Sequence, residues 1–257
     1  MSSKFLSNNE LKKILEKATL EERFSLTRLL DKEQQNAYNS KKLQEEICWE
    51  GGNGFVNLLW RQGDGTGYLD IVDDVLDELK ILGAPSYRFQ VRHYDEIEEL
   101  KYDKKEASKK GIEYAEKYEE KIILKLLEIT YEKMSNEEKI SFDEQINQLA
   151  DKYTSNTARN LSGVGGLMIL ANLGGFTTYT LLTTIMSTVT LGTLGFGVYT
   201  AATTLLSVIL GPVGWAGLGV AAAFTIGKPD YQKLIPLVAV IGAIRQRIKY
   251  DENLERI

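Results

Sequence analysis

The sequence is poor in the residues that most often build disulfides, metal sites and active sites. Among 257 residues it has one cysteine, Cys48, and one histidine, His93. A single cysteine excludes an intramolecular disulfide, and the lack of a charged-then-apolar leader predicts synthesis in a reducing cytoplasm. A thiol–imidazole pair is the one nucleophile these two residues could form. Cys48 lies beside Trp49 in a helical pattern, however, and is predicted to be a small core residue.

A metal site would have to consist of carboxylates alone. The carboxylate pairs that the chain offers are adjacent in sequence, so their side chains point to different sides of a helix. These pairs are Asp73-Asp74, Glu98-Glu99 and Glu119-Glu120. The sequence therefore predicts no catalytic residue, no metal and no cofactor, and hence a protein that is not an enzyme.

Acidic residues outnumber basic ones in the larger part of the chain. Residues 1–159 carry 25 Lys and Arg against 32 Asp and Glu, whereas residues 228–257 carry 6 against 4. A nucleic-acid-binding protein needs a basic face to meet phosphates. The acidic front therefore argues against nucleic acid as a partner.

Charge is absent altogether from residues 160–227, which we call the uncharged segment. It contains no Asp, Glu, Lys, Arg or His, yet holds 13 of the 22 glycines and 12 threonines. Fully burying one large apolar side chain is worth about 1.5–3 kcal/mol. The segment must therefore be covered, either by the rest of the chain or by a membrane.

Glycines divide the uncharged segment into four predicted helical pieces, at about 161–173, 176–191, 197–210 and 212–227. Each piece is shorter than the ~20 residues that an upright transmembrane helix needs, although helices continuous through the glycines would be long enough. The predicted turns contain Gly174, Gly175, Gly195, Gly197, Gly211, Pro212, Gly214 and Trp215. Basic residues flank the segment on both sides: Lys152, Arg159, Lys228 and Lys233.

Helix signals fill most of the remaining chain. Capping boxes at Ser7, Thr19 and Ser135 predict helix starts, and apolar spacing predicts helices at about 8–17, 20–31, 105–134 and 136–153. The apolar run Leu234–Ile244 predicts a final core helix, with Pro236 in its first turn and a basic end that suits the helix dipole.

Two glycine clusters each precede an apolar helical pattern. They are Gly51-Gly52-Asn53-Gly54 and Gly63-Asp64-Gly65-Thr66-Gly67. Such loops can cradle a phosphate at a helix N-terminus or form helix-to-helix turns that need positive φ. Neither cluster follows a strand and neither is followed by Lys-Ser/Thr, so the dinucleotide and P-loop patterns fail. Turns are the preferred interpretation.

These elements together predict an all-α fold. We expect a small N-terminal helical module at 1–38 and a main domain at 39–257, in which a helical bundle wraps around the glycine-rich uncharged segment. The apolar stripes of the helices within 105–153 should cover that segment. Those stripes contain Ile122, Leu126, Ile129, Ile140, Ile146 and Leu149.

Several motifs resemble the bacterial YaaW-like family. They are Leu43–Trp60, Tyr68–Val75, Tyr131–Lys139 and, most specifically, Phe196–Thr200, Leu210–Trp215 and Tyr231–Pro236. Residues 4–38 resemble the small helical domain often fused in front of that family. The family is grouped by similarity with the ubiquinol–cytochrome c chaperones. The resemblance therefore hints at a helical fold and at the type of partner, but it establishes no activity and assigns no functional residues.

Two functions fit these observations. The first is a membrane-directed helical protein with an insertion-competent hydrophobic hairpin, similar in architecture to pore-forming colicins and associated with the inner membrane. Basic flanks on both sides fit a hairpin whose two ends lie on the cytoplasmic face. The alternative is a soluble, all-helical chaperone or assembly-factor-like binding protein whose glycine-rich segment is its core. The partner is membrane lipid in the first case and a hydrophobic client protein in the second.

Overall fold

The computed structural model describes residues 3–52, 66–81, 104–133, 135–153, 160–174 and 230–254. Within these ranges every regular secondary-structure element is an α-helix, which confirms the predicted all-α class. The helices are α1 (Ser3–Lys17), α2 (Leu20–Leu30), α3 (Ser40–Glu50), α4 (Tyr68–Glu78), α5 (Lys104–Lys133), α6 (Asn136–Tyr153), α7 (Gly163–Gly174) and α8 (Tyr231–Leu254).

The chain divides into two compact units. Unit 1 comprises residues 1–122 and 220–245, and unit 2 comprises residues 123–219 and 246–257. Unit 1 therefore contains α1 to α4, and unit 2 contains α6 and α7. The division falls inside α5 and α8. The predicted module boundary at residue 38 stays a prediction.

Local capping signals fix some of the helix starts. At α2 the Glu22 N–H donates to Thr19 Oγ1 at 3.2 Å and the Thr19 N–H donates to Glu22 Oε2 at 2.8 Å, which is the predicted reciprocal capping box. Helix α6 begins at Asn136, directly after Ser135. The predicted start at Ser7 is wrong, because α1 already begins at Ser3.

The core of unit 1 is built from helices with one apolar face. Helix α1 packs against α3 and α4, and both α2 and α4 pack against α3. Cys48 is 3% exposed, which confirms that it is a core residue. The largest fully buried apolar residues of this unit are Leu11, Leu15, Leu26, Leu43, Ile47, Tyr68, Leu69, Ile71, Leu76 and Ile122.

Glycine is needed after α3 for space rather than for conformation. Gly51 and Gly67 both have φ of −65°, so the prediction that these turns need positive φ is wrong at both residues. A Cβ atom at Gly51 would instead collide with the side chain of Ile71 on α4. The absent side chain therefore lets α4 approach the end of α3.

Helix α8 is a core helix, as predicted, but it is longer than the apolar run. Residues Leu234, Ile235 and Leu237 through Ile241 are fully buried. Pro236 lies six residues into the helix rather than in its first turn, so that placement is corrected. The predicted basic end is also wrong, since the helix continues to Leu254 and Arg245 is 3% exposed.

In unit 2, α6 packs against α7, and hydrogen bonds fix the start of α7. Asn147 Oδ1 accepts from the Leu161 N–H at 2.9 Å, and Asn147 Nδ2 donates to the Leu161 carbonyl at 2.8 Å. Asp143 Oδ1 accepts from the Gly163 N–H at 2.7 Å and from the Tyr131 hydroxyl at 3.1 Å. Gly163 has φ of 58°, a conformation that glycine adopts without steric cost. The packing of α6 against α7 confirms the prediction that α6 covers the first part of the uncharged segment.

The predicted apolar stripes are mostly directed inward. Ile122, Leu126 and Ile146 are at most 3% exposed, while Ile129 and Leu149 are half-buried. Ile140 contradicts the prediction, because 59% of it is exposed.

The expected insertion-competent hairpin requires correction. No helix in the described residues combines the length and apolar character needed to cross a bilayer. Helix α7 (Gly163–Gly174) is the helix that the structure describes in the uncharged segment. One of its faces is occupied by protein contacts. The pieces expected at 176–191, 197–210 and 212–227 lie outside the described residues.

Two adjacent glycines in α7 provide a matched test of this packing. A Cβ at Gly165 would meet nothing within 4 Å, whereas a Cβ at Gly166 would lie 2.9 Å from the backbone carbon of Leu161. We expect Gly165→Ala to raise the free energy of unfolding by up to about 1 kcal/mol, because alanine favours helix. Gly166→Ala should lower it by about 1–3 kcal/mol through overpacking. Urea unfolding followed by circular dichroism measures both, and equal effects of the two variants would contradict the observed packing.

Candidate functional site

The predicted site residues fall into three groups. Gly174 is the last residue of α7, and Lys152 lies in α6. Lys233, expected as a basic flank, instead forms an ion pair of 2.5 Å with Glu50 at the end of α3. The remaining predicted residues lie outside the described ranges: Arg159, Gly175, Gly195, Gly197, Gly211, Pro212, Gly214, Trp215 and Lys228.

A buried charge cluster in the described part of unit 1 joins three helices. Arg245 of α8 donates from Nε to Glu119 Oε2 at 2.7 Å and from Nη2 to Glu119 Oε1 at 3.1 Å. The Tyr68 hydroxyl of α4 donates to the same Oε1 at 2.6 Å. The Arg245 and Glu119 side chains are 3% and 1% exposed. Both carboxylate oxygens are thus occupied by donors from the chain itself.

The electrostatics of this cluster follow from its burial. Burial alone lowers the pKa of Arg245, but the negative charge of Glu119 outweighs this effect and the pKa of Arg245 is raised. Burial, followed by the charge of Glu119, raises the pKa of Tyr68 well above its usual value. Arg245 is therefore charged and Tyr68 is neutral at physiological pH. Glu10 of α1, itself 2% exposed, adds to the negative charge that Arg245 senses.

A second buried contact lies on the same helices. Tyr114 of α5 donates a hydrogen bond to Asp73 of α4. Tyr118, one turn further along α5, has a raised pKa because it is buried and because Asp73 is near. These side chains satisfy one another, which indicates a structural rather than a catalytic role.

Sequence reasoning missed this cluster because Arg245 was assigned to the end of a shorter helix. A usable signal does exist. Ile241, Arg245 and Ile248 follow i, i+4, i+7 spacing, and all three are buried. A charge on the apolar face of a helix predicts a buried partner. The partner itself, more than a hundred positions away, cannot be found from one sequence.

Unit 2 offers a different kind of candidate site, an apolar face in contact with solvent. In α7 Val164, Leu167 and Leu170 are buried, while Met168 and Ile169 are 42% and 49% exposed. Gly165 lies on the same exposed side. We call Gly165, Met168 and Ile169 the α7 apolar face.

Metal or nucleophile chemistry has little support in the described ranges. No group of three or more His, Cys, Asp or Glu residues within those ranges could hold a metal ion. Cys48 is a buried free thiol, and His93 lies outside the described residues. That the chain has no catalytic residue and no cofactor stays a prediction.

The described part of the chain thus defines an all-α protein with a buried ionic network and an exposed apolar helix face. Its sequence is similar to the UPF0174 protein of Helicobacter pylori strain J99, with 29% identity over 210 residues that cover 80% of this chain and 70% of the relative. No family model matches the sequence, and no solved structure matches it.

Removing one member of the buried ion pair should be strongly destabilising. We expect Arg245→Met and Glu119→Leu each to lower the free energy of unfolding by about 3–5 kcal/mol, because each leaves the other charge buried without its partner. The triple variant Tyr68→Phe/Glu119→Leu/Arg245→Met should be more stable than either single variant. Urea denaturation of all three measures this. A triple variant that loses the sum of the single losses would contradict the proposed cause.

Tyr68 gives a spectroscopic test of the same network. In the unfolded chain tyrosine titrates near 10, and the folded pKa of Tyr68 is higher. Its contribution to stability is therefore fully present below about pH 10 and is lost as the pH rises through the folded value. While folded, wild type and Tyr68→Phe should show the same tyrosinate absorbance change up to about pH 11. After unfolding in urea, wild type should gain one tyrosine more. A difference between the folded proteins would refute the assignment.

Proposed function

We propose that the chain is a non-enzymatic helical binding protein of the chaperone or assembly-factor type, with a hydrophobic client protein as its partner. In this role the uncharged segment forms part of the protein core instead of entering a membrane. The observation that carries the proposal is α7, in which one face is buried against the protein and the other presents large apolar side chains to solvent.

The buried face of α7 makes it a core element. Val164, Leu167 and Leu170 are each at most 6% exposed, and each such burial is worth about 1.5–3 kcal/mol. Several kcal/mol therefore hold α7 in place against α6.

The opposite face is what a binding role would use. Single exposed apolar residues are common on proteins, but adjacent ones on an uncharged helix form a patch. Met168 is also an unbranched, adaptable side chain of the kind that suits binding surfaces. A client with an exposed apolar segment would cover the α7 apolar face.

Two sequence observations support the same proposal. The resemblance to the YaaW-like family, grouped with the ubiquinol–cytochrome c chaperones, hints at a protein partner. The single cysteine, free and buried, suits a reducing cytoplasm. The name of the Helicobacter pylori relative specifies no ligand or activity.

The proposal predicts that the chain protects an aggregating client. Wild type should slow the light scattering of insulin reduced with dithiothreitol, and Met168→Ser/Ile169→Ser should lose most of this effect because the apolar contact is removed. Leu20→Ser/Phe24→Ser is the matched control, since it removes two exposed apolar side chains from α2 in unit 1.

Equal protection by wild type and Met168→Ser/Ile169→Ser would refute the role of α7. No protection by wild type would refute the chaperone-type activity itself. Circular dichroism confirms that each variant is folded before the comparison.

A further inference from the structure

The exposed side of α6 carries an ordered row of negative charge. Glu137, Glu144 and Asp151 are all exposed and follow one another at seven-residue intervals. Residues seven apart lie on one side of a helix, roughly 10 Å from each other along its axis. We call these three residues the acidic row. Ile140, which is 59% exposed, lies within the row, between Glu137 and Glu144 in sequence.

The acidic row differs from other exposed helix faces that the structure describes. On α1 and α3, carboxylates pair with lysines four residues away, as in Lys12–Glu16, Lys41–Glu45 and Lys42–Glu46. Within the described ranges, no salt bridge involves Glu137, Glu144 or Asp151. Lys139, the one lysine of α6 whose side chain is described, donates to the Glu132 carbonyl and lies over the Tyr131 ring.

The acidic row and the α7 apolar face lie on two helices of unit 2 that pack against each other. Ile140, Asp143 and Asn147 share one side of α6 through i, i+3, i+7 spacing. Asp143 and Asn147 hold residues 161–163 at the start of α7, so Ile140 lies on the side of α6 that is next to α7. From this point α6 and α7 run in opposite directions, which brings Ile140 to within about one helical turn of Met168 along the pair.

We propose that the acidic row, Ile140 and the α7 apolar face together form one surface, and that this surface docks a basic amphipathic helix of a partner protein. The inference rests on the binding role proposed above and names the class of client. Apolar side chains of the partner would cover Ile140, Met168 and Ile169, and lysines or arginines at seven-residue spacing would meet the acidic row. Helix-in-groove recognition uses this combination of apolar anchors and flanking charges.

The charge pattern favours this occupant over two others. A second copy of the chain would bring its own acidic row to the same face, and like charges at an interface disfavour association. An anionic lipid surface attracts basic segments and repels acidic ones. Only a partner with positive charge beside its apolar face complements both features.

The test uses the full chain and a fluorescein-labelled helical peptide of leucine and lysine, about 18 residues long. A second peptide, with glutamate in place of lysine, serves as the comparison. Fluorescence anisotropy should show binding of the basic peptide that weakens as salt screens the charges. Glu137→Lys/Glu144→Lys and Met168→Ser/Ile169→Ser should each weaken binding at least about tenfold. Glu33→Lys/Glu45→Lys, with the same change in net charge at two other exposed carboxylates, should bind like wild type.

Three outcomes overturn the inference. They are equal binding of the acidic peptide, an effect of Glu33→Lys/Glu45→Lys as large as that of Glu137→Lys/Glu144→Lys, and co-sedimentation of the protein with phosphatidylglycerol vesicles in the absence of peptide. Protection of insulin that depends on Met168 and Ile169, together with any of these outcomes, would leave the binding role standing and refute only the class of partner.

Discussion

Among the contacts that the structure describes in unit 1, the burial of Arg245 beside Glu119 places the strongest constraint on the fold. Moving either ion out of water alone costs several kcal/mol, so α5 cannot bury Glu119 unless α8 supplies Arg245. The bidentate contact between guanidinium and carboxylate also fixes the rotation of each helix about its axis and its position along that axis. Tyr68 then occupies a remaining lone pair of the carboxylate and adds α4 to the same arrangement. Such a pair is weak evidence for stability, but here it sets the register of three helices that are distant in sequence.

A carboxylate has a comparable role in unit 2, at lower electrostatic cost. Asp143 accepts hydrogen bonds from the Tyr131 hydroxyl and the Gly163 N–H, and it is half-buried rather than fully buried. Burial, and then the bond to Asp143, raises the pKa of Tyr131, which keeps this donor protonated. The uncharged segment cannot supply charged anchors of its own. Its first helix is therefore positioned by polar side chains of α6 and by its own backbone groups.

The features that were predicted correctly depend on residues within one or two turns, although the equally local prediction of a helix start at Ser7 was wrong. The capping box at Thr19, the start of α6 after Ser135 and the ends of α5 are set locally, and all were anticipated to within a residue. Gly51 and Arg245 were misinterpreted because their requirements come from Ile71 and Glu119, far along the chain.

The membrane prediction failed for a related reason. A lack of charge shows that a segment must be buried, but it does not show whether protein or lipid buries it. For α7, the structure describes packing against α6. Most of the predicted turn residues lie outside the described ranges.

Ile140 was predicted to face the core, and its exposure shows how charge can protect an apolar surface. Large apolar side chains in contact with solvent promote self-association, and the usual safeguard is like charge placed beside them. On α6 the carboxylates of Glu137 and Glu144 flank Ile140 in sequence. Any surface that approaches with negative charge, including a second copy of this chain with its net charge of −5, is repelled before apolar contact forms. The apolar side chain then contributes binding free energy only to partners whose positive charges first pair with these carboxylates. Selectivity therefore comes from the carboxylates and affinity from the apolar residue.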